Sequence, residues 1–341
     1  MIVLWLKFLI MSILVVVAGL KLSVFGDEIA NKTGIEELLI GSILIAMATS
    51  LPELVTSISS SIIGSPDIAI GNVFGSVNIN LLILVFADFL YKKNSILFDV
   101  QENHLLTGMI AGLLSIIAIF GIIFRQVSMI ELSVFNIGIE TILLFFVYSV
   151  GMKLIFSYRS KKQLIEQAEN KSSRKIKIKW DSDLIKYTIG FLISSAVIFI
   201  AGSRLTILAS EIVLISGIKE SFMGSVFVAI VTSLPELSVT YSAVQIGAFN
   251  MIIGNVLGSN IFNITIIFFA DIFYRTGSIL GFIDLTHVIT ASIGLMMTMV
   301  FMIGLFYKPK KHIFNIGWES IIAGNIFLFG FYLIYLLGIN I

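Results

Sequence analysis

Two glutamates of this chain stand inside long apolar segments, each directly after a proline. Both end a copy of the sequence TSLPE, the first at 49–53 and the second at 232–236, which is 183 positions later. An ionisable side chain costs several kcal/mol to place in a membrane span, so it marks a functional site by default. Glu53 and Glu236 are therefore the first candidates for chemistry.

The two glutamates belong to a longer internal repeat. Residues 41–88 and 224–271 align without a gap, and 23 of the 48 positions are identical. Each copy carries TSLPE early and GNV-x-GS later. Repeats of this kind in transporters build one binding site between two halves. The duplication predicts that both glutamates serve a single site.

The residues around each glutamate offer oxygen atoms. A proline in mid-helix removes one backbone hydrogen bond and pushes against an earlier carbonyl, so backbone oxygens become available beside each glutamate. Hydroxyl groups lie within one helical turn at Thr49, Ser50, Thr232 and Ser233. Hard cations such as Ca²⁺ and Na⁺ take such ligands, whereas zinc, copper and iron favour His or Cys. The alternative is structural, a neutral carboxyl that bonds a neighbouring helix.

A second segment of each repeat carries GNV-x-GS, whose glycines are expected to let two helices approach closely. Ser76 with Asn80, and Ser259 with Asn263, are spaced four residues apart and share one helix face. Buried hydroxyls and amides need partners. Two alternatives stay open: these side chains bond neighbouring helices, or they complete a cation shell with the glutamates.

Composition places the chain in a membrane. It has 341 residues, of which 57% are hydrophobic and 13% charged, against roughly 25% charged in soluble proteins. A net charge of +1 gives no reason to expect nucleic-acid binding, and the absence of Cys excludes disulfides and thiol nucleophiles. The histidines, His104, His287 and His312, show no partner spacing and are expected to be structural or solvated. No enzyme site, cofactor or protein partner is predicted.

Ten apolar stretches are each near the roughly 20 residues that cross a bilayer. They fall at 2–25, 35–63, 67–91, 105–124, 129–156, 184–208, 218–246, 250–274, 286–306 and 315–338. The predicted fold is an all-α polytopic membrane protein with ten transmembrane helices. It comprises two five-helix repeats, at 1–156 and 184–341, joined by a basic connector at 157–183. Since each repeat has an odd number of crossings, the second must be inverted.

The connector sets the expected orientation, because cytoplasmic loops are rich in Lys and Arg. The basic residues in and beside it are Lys153, Arg159, Lys161, Lys162, Lys171, Arg174, Lys175, Lys177 and Lys179. With the connector cytoplasmic, both termini are expected outside. The other basic residues expected on the connector's side are Lys32, Lys92, Lys93, Lys219 and Arg275. The basic residues of 308–311 are expected on the opposite side, against the rule that basic residues favour the cytoplasmic side.

The paired TSLPE and GNV-x-GS motifs resemble the two alpha repeats of the cation/calcium exchanger superfamily, and above all its prokaryotic sodium/calcium exchangers. The resemblance covers nearly the whole chain, and it implies cation sites at mid-membrane, built from the second and third helices of each repeat. By motif position, the ligands in the first half would be Ala46, Thr49, Ser50, Glu53, Ser76 and Asn80. Those in the second half would be Ala229, Thr232, Ser233, Glu236, Ser259 and Asn263. The alanines and threonines would contribute mainly backbone carbonyls.

Two departures from the family pattern bear on this implied site. Family motifs usually read Gly-Thr-Ser, whereas Ala48 and Val231 precede the threonines here. Some archaeal relatives carry Asp where Asn263 stands, so this site has two carboxylates and is less anionic.

The expected function is an antiporter in the cell membrane that exchanges Ca²⁺ for Na⁺ by alternating access. The transported ions would be its partners, together with the lipid bilayer. An H⁺/Ca²⁺ exchanger is the nearest alternative, since buried carboxylates also take protons. Exchange of another divalent cation and a cation channel are further alternatives.

Overall fold

A computed structural model describes residues 1–33, 46–91, 95–127, 132–170, 182–308, 312–313 and 316–338. Helices make up nearly all of this part of the chain. The helices are α1 (Ile2–Thr33), α2 (Leu51–Ile62), α3 (Pro66–Tyr91), α4 (His104–Val127), α5 (Ile139–Asn170), α6 (Ser182–Ser216), α7 (Glu220–Thr232), α8 (Leu234–Gln245), α9 (Phe249–Phe273), α10 (Thr286–Tyr307) and α11 (Trp318–Gly338).

The prediction of an all-α polytopic membrane protein is confirmed. Eight described helices are long and apolar enough to cross a membrane, and α7 with α8 forms a ninth span, bent by 43°. The remaining expected span, at 35–63, falls partly on 34–45, which lies outside the described residues, so the count of ten stays a prediction. Helix α5 continues to Asn170, inside the segment expected to be the connector.

Short elements precede the last helix of each half. A hairpin of β1 (Ser133–Val134) and β2 (Ile137–Gly138) leads into α5, and one of β3 (His312–Ile313) and β4 (Ile316–Gly317) leads into α11. Single 3-10 turns, Ile96–Asp99 and Ile279–Gly281, follow α3 and α9. The repeated order of elements matches the repeated sequence.

Helices α3 and α9 form the centre of the bundle. They pack against each other, and α2, α4, α7 and α10 surround them, while the long helices α1 and α6 pair at the side. Small residues let α3 approach the π-helical turn Met223–Val228 of α7. A Cβ on Gly71 would lie 2.8 Å from Ser225 N, and one on Gly224 would lie 2.6 Å from Ile68 O. The close helix packing expected from the glycines of GNV-x-GS is therefore observed at Gly71.

The ion pairs at the two ends of the bundle correct the expected sides of three basic residues. Lys32 pairs with Asp183 at 3.1 Å, which defines the connector face of the molecule. Helix α6 crosses from Asp183 to the opposite face, so Lys219, just beyond it, lies opposite the connector, where it pairs with Asp284 at 4.0 Å. The expectation that Lys219 shares the connector's side was therefore wrong.

The same correction applies to the last loops. After α7 and α8 return to the connector face, α9 crosses again and places Arg275 on the opposite face. Helix α10 then brings Lys308 back, and its Nζ donates to Val100 O at 2.9 Å. That carbonyl belongs to the loop after α3, on the connector face. The expectation that Arg275 lies on the connector's side and Lys308 opposite was therefore wrong.

Candidate functional site

A break in the helix precedes each glutamate. Pro52 and Pro235 supply no N–H to the carbonyl four residues earlier, and the residue two before each proline leaves helical geometry. Ser50 has φ −85° and ψ 11°, and Ser233 has φ −86° and ψ 3°. The two breaks are alike because the sequence around them is duplicated.

Hydrogen bonds cross between the two breaks and bring the glutamates into one site. Ser50 Oγ donates to Glu236 Oε1 at 3.2 Å, and Ser233 Oγ donates to Glu53 Oε1 at the same distance. Both glutamates are fully buried, and the second carboxyl oxygen of each, Oε2, has no hydrogen-bond partner among the described residues. Each half thus supplies one carboxyl and one serine hydroxyl, and that hydroxyl donates to the carboxyl of the other half.

A second pair of contacts surrounds the first. Thr49 Oγ1 lies 3.4 Å from Ser259 Oγ, and Ser76 Oγ lies 3.3 Å from Thr232 Oγ1. All four side chains are buried. The structure therefore joins the TSLPE segment of each half to the GNV-x-GS helix of the other half.

Backbone carbonyls also contact these hydroxyl groups. Ala46 O accepts from Thr49 Oγ1 at 3.0 Å and from Ser259 Oγ at 3.5 Å. Ala229 O accepts from Thr232 Oγ1 at 3.3 Å. Each alanine carbonyl thus accepts from the threonine hydroxyl three residues later in its own half.

The asparagines of the proposed ligand set are less symmetric. Asn80 Nδ2 donates to Asn260 Oδ1 at 3.0 Å, so it bonds a neighbouring helix, while Asn80 Oδ1 has no partner. Asn263 is fully buried, and neither its Oδ1 nor its Nδ2 has a hydrogen-bond partner. Sequence comparison gave no signal for Asn260, because the repeat places Val77 at the matching position.

Asn72, the asparagine of the first GNV-x-GS motif, anchors the break in the first half. Its Nδ2 donates to Glu53 O at 3.2 Å and to Thr56 Oγ1 at 2.8 Å, and its Oδ1 accepts from Thr232 Oγ1 at 3.0 Å. The amide fixes the backbone of Glu53 and orients Thr232. Its role is positional, as its place in the helix-packing motif suggested.

Two histidines expected to be structural or solvated lie at helix starts and are buried. His287 Nε2 lies 2.9 Å from Asp67 Oδ1, and a Cβ on Gly254 would lie 3.2 Å from His104 Cε1. His312 lies in β3, and its side chain falls outside the description. No group of three or more His, Cys, Asp or Glu able to hold a metal ion occurs among the residues with described coordinates. The site is an oxygen site of two carboxyls, hydroxyls, amides and carbonyls.

Together the fold and this arrangement describe a polytopic membrane protein in which buried oxygen atoms from two duplicated segments lie close together. The family model described as sodium/calcium exchanger protein matches residues 3–162 and 186–339. The chain therefore belongs to the sodium/calcium exchanger protein family.

Relatives of known name share about a quarter of their residues with this chain. The sodium/calcium exchanger MaX1 of Methanosarcina acetivorans is 27% identical over 289 residues, covering 75% of this chain and 81% of the relative. Inner membrane protein YrbG of Escherichia coli is 28% identical over 266 residues, covering 76% of each.

Solved structures share the fold. A structure of the sodium-calcium exchanger NCX_Mj, soaked with Na⁺ and Sr²⁺, matches with a TM-score of 0.62 and 21% identity, covering 97% of this chain and 99% of the other. The H⁺/Ca²⁺ exchanger CAX matches with a TM-score of 0.67 and 15% identity, covering 98% and 82%. At these identities the likeness establishes the fold alone.

Proposed function

We propose that this protein exchanges Ca²⁺ for Na⁺ across the membrane, with the cations bound between Glu53 and Glu236. The observation that carries the proposal is the pair of crossed serine–glutamate hydrogen bonds, which puts one carboxyl from each half into a single buried site. Each carboxyl keeps one oxygen without a partner. Unpaired buried carboxylates are costly, and a bound cation removes that cost.

Charge balance accounts for exchange without leak. Two carboxylates carry two negative charges, which one Ca²⁺ or two Na⁺ neutralise. The loaded site is then nearly uncharged and crosses the low-dielectric centre at little cost, whereas the empty site stays charged. Only a loaded protein switches sides readily, so one ion moves inward as the other moves outward.

The ligand set follows from the same ring of contacts. Hydroxyls of Thr49, Ser50, Thr232 and Ser233 surround the carboxyls, and Ser76 and Ser259 face them from the opposite repeat. The carbonyls of Ala46 and Ala229 and the amides of Asn80 and Asn263 supply the remaining oxygens. Ca²⁺ takes about 6–8 oxygen ligands, which this set provides.

Alternating access would arise from motion of one repeat or helix group against the other. We take 1–156 and 184–341 as the two inverted repeats and the paired helices α1 and α6 as the moving group. Helix α1 contacts the break directly, since a Cβ on Gly19 would lie 2.5 Å from Pro235 Cγ. A shift of α1 therefore acts on the second break.

The basic residues support a cytoplasmic connector. Lys32 and Lys308 lie on the connector face, and Arg125, Lys219 and Arg275 lie opposite. With the nine basic residues in and beside the connector, the positive-inside rule favours this face as cytoplasmic and both termini as external.

A proton-coupled exchanger is the second candidate. The oxygens Glu53 Oε2 and Glu236 Oε2 have no hydrogen-bond donor within the part of the chain that the structure describes, and protons neutralise such a pair as Na⁺ does. The two candidates share the site and differ in the counter-ion.

Transport in reconstituted vesicles tests the proposal. Vesicles loaded with Na⁺ should take up radioactive Ca²⁺, and uptake driven by a pH gradient alone would favour the proton-coupled candidate. Glu53→Gln and Glu236→Gln should each abolish uptake. Glu211→Gln, an exposed glutamate on α6, is the matched control and should transport normally. Normal uptake by both buried-site variants would reject the site.

A further inference from the structure

Two buried acidic clusters lie away from the site, one at each face of the bundle. Each contains the aspartate that ends a repeat motif and a glutamate at the start of the last helix of the other half. The clusters contain Asp271, Glu140 and Ser278 on one face, and Asp88, Glu319 and Ser95 on the connector face. The sequence FNIG-x-E, at 135–140 and again at 314–319, supplies the two glutamates.

The aspartates are held in the same way in both clusters. Asp271 accepts the backbone N–H of Ile279 at 2.6 Å and of Gly138 at 2.8 Å. Asp88 accepts the N–H of Ile96 and of Gly317, both at 2.8 Å. Two backbone donors favour an ionised carboxylate. In both clusters, two backbone N–H groups thus donate to the buried aspartate.

The glutamates differ in how their charge is balanced. Glu140 faces Arg125, whose Nε lies 2.7 Å from Oε1 and whose Nη2 lies 3.0 Å from Oε2, and Ser278 also donates to Oε1 at 2.5 Å. Both carboxyl oxygens of Glu140 thus have donors. The residue that matches Arg125 in the repeat is Lys308.

Lys308 does not reach Glu319. Its Nζ donates to Val100 O at 2.9 Å and lies 3.9 Å from Glu102 Oε1. Glu319 is fully buried, its Oε1 accepts from Ser95 Oγ, and its Oε2 has no hydrogen-bond partner. Among the described residues, no Lys, Arg or His pairs with it.

The charged groups around Glu319 favour a neutral side chain. Asp88 lies on α3, Lys308 directly follows α10, and Asp99 and Glu102 lie in the segment between α3 and α4. Of these, Asp88 is buried with Glu319, and the others are engaged elsewhere, Asp99 with Tyr91. A buried carboxylate without a cation is costly, and two carboxyls in one buried site disfavour double ionisation.

We propose that Glu319 is a proton-binding site at the connector face, separate from the cation site between the two glutamates of the repeats. The proton neutralises Glu319, as the Arg125 guanidinium balances Glu140 in the other cluster. Loss of the proton would leave two carboxylates between the C-terminal end of α3 and the start of α11. Helix α3 carries Ser76 and Asn80, and Asn80 lies eight residues, or about 12 Å, from Asp88. The proton therefore holds in place the end of a helix that lines the cation site.

Infrared difference spectroscopy on the purified protein tests this directly, because a protonated carboxyl has a C=O stretch that a carboxylate lacks. The spectrum of the wild type minus that of Glu319→Gln should show one protonated carboxyl at neutral pH. Glu140→Gln is the matched control and should remove no such band, since both carboxyl oxygens of Glu140 face the Arg125 guanidinium. Superimposable wild-type and Glu319→Gln spectra, or an equal loss in the control, would overturn the proposal.

Two further measurements test the proposal even if Glu319→Gln does not fold. Ser95→Ala removes the hydroxyl donor to Glu319 and should shift the frequency of the band without abolishing it, and an unshifted band counts against the assignment. Addition of Na⁺, K⁺ or Ca²⁺ to a variant with Gln at both 53 and 236 should leave the band unchanged. Its disappearance would show a metal cation at Glu319 instead of a proton.

Discussion

A close approach between the backbones of the two halves gives the sharpest stability prediction. Gly75 on α3 lies against the π-helical turn of α7. A Cβ at this position would lie 2.6 Å from Ala229 Cβ and 2.8 Å from the carbonyl carbon of Ser225, and it would also collide with Ser225 O. We therefore expect Gly75→Ala to force α3 and α7 apart.

The distances set the size of the effect. Carbon atoms in contact lie about 3.5–4.0 Å apart, so the helices must separate by about 1 Å. Overpacking of this kind costs about 1–3 kcal/mol, and the obstacle here includes backbone, which cannot turn away. Alanine recovers up to about 1 kcal/mol through its greater helix propensity. The net loss should be about 2 kcal/mol.

The repeat supplies a matched control. Gly258 occupies the same place on α9, but there an added Cβ would meet only Ala46 Cβ, at 3.2 Å. The required movement is a few tenths of an ångström, and the gain in helix propensity offsets its cost. Gly258→Ala should therefore unfold at nearly the wild-type temperature.

Thermal unfolding in detergent compares the two variants directly. The expected order of stability is wild type, then Gly258→Ala close to it, then Gly75→Ala clearly lower. Adding Ala229→Gly to Gly75→Ala should restore little stability, because the Ser225 backbone remains in the way. Equal melting temperatures for the two glycine variants, or full rescue by Ala229→Gly, would refute this explanation of the packing.

Two further predictions concern charge pairs outside the candidate site. Arg125→Gln leaves Glu140 as a buried unpaired charge, which costs about 3–5 kcal/mol; unfolding in detergent should show the loss, and Glu140→Gln in the same chain should recover much of it. Asp67→Asn copies the natural Asn250 of the other repeat and removes the negative charge from the oxygen that contacts His287 Nε2 and accepts the N–H of Asp284. Because hydrogen bonds to charged groups are stronger than neutral ones, the variant should melt at a lower temperature in detergent, and an unchanged melting temperature would show that the Asp67 charge adds no stability.

The sequence predicted the elements of the site because they are duplicated. The copies of TSLPE identified both glutamates and their hydroxyl neighbours, and the proline in each copy indicated the helix break. The crossed pairing of Ser50 with Glu236 was not predictable, since it depends on how the two halves dock. Asn260 escaped notice for the same reason, because it contacts Asn80 across the interface and has no counterpart in the repeat.

The acidic clusters show a different limit of sequence comparison. Asp88 and Asp271 stand at matching positions of the gap-free repeat, but Glu140 and Glu319 are 179 residues apart, not 183. The segment before Glu319 is four residues shorter than the segment before Glu140, so the gap-free alignment does not match the two glutamates. A comparison that allows gaps would find them through FNIG-x-E. Their pairing with the aspartates of the opposite half still requires the structure.

The loops of the second half alternate between the two faces of the bundle. Helix α6 is the single crossing between Asp183 and Lys219, and this one predicted span already places Lys219 opposite the connector. The pairs Lys219–Asp284 and Lys308–Val100 fix those loops directly. Among the described residues, Lys308 joins the connector face, whereas Lys219 and Arg275 lie opposite it.

Ca²⁺ binding to the purified protein tests the central claim most directly. If both glutamates hold one ion, Glu53→Gln and Glu236→Gln should each weaken Ca²⁺ binding by roughly a hundredfold. The double variant should be little worse than either single one, because residues of one site are not additive. Na⁺ should compete with Ca²⁺ in the wild type and in Glu211→Gln. Near-normal Ca²⁺ affinity in either single variant, or losses that multiply in the double variant, would contradict a shared site.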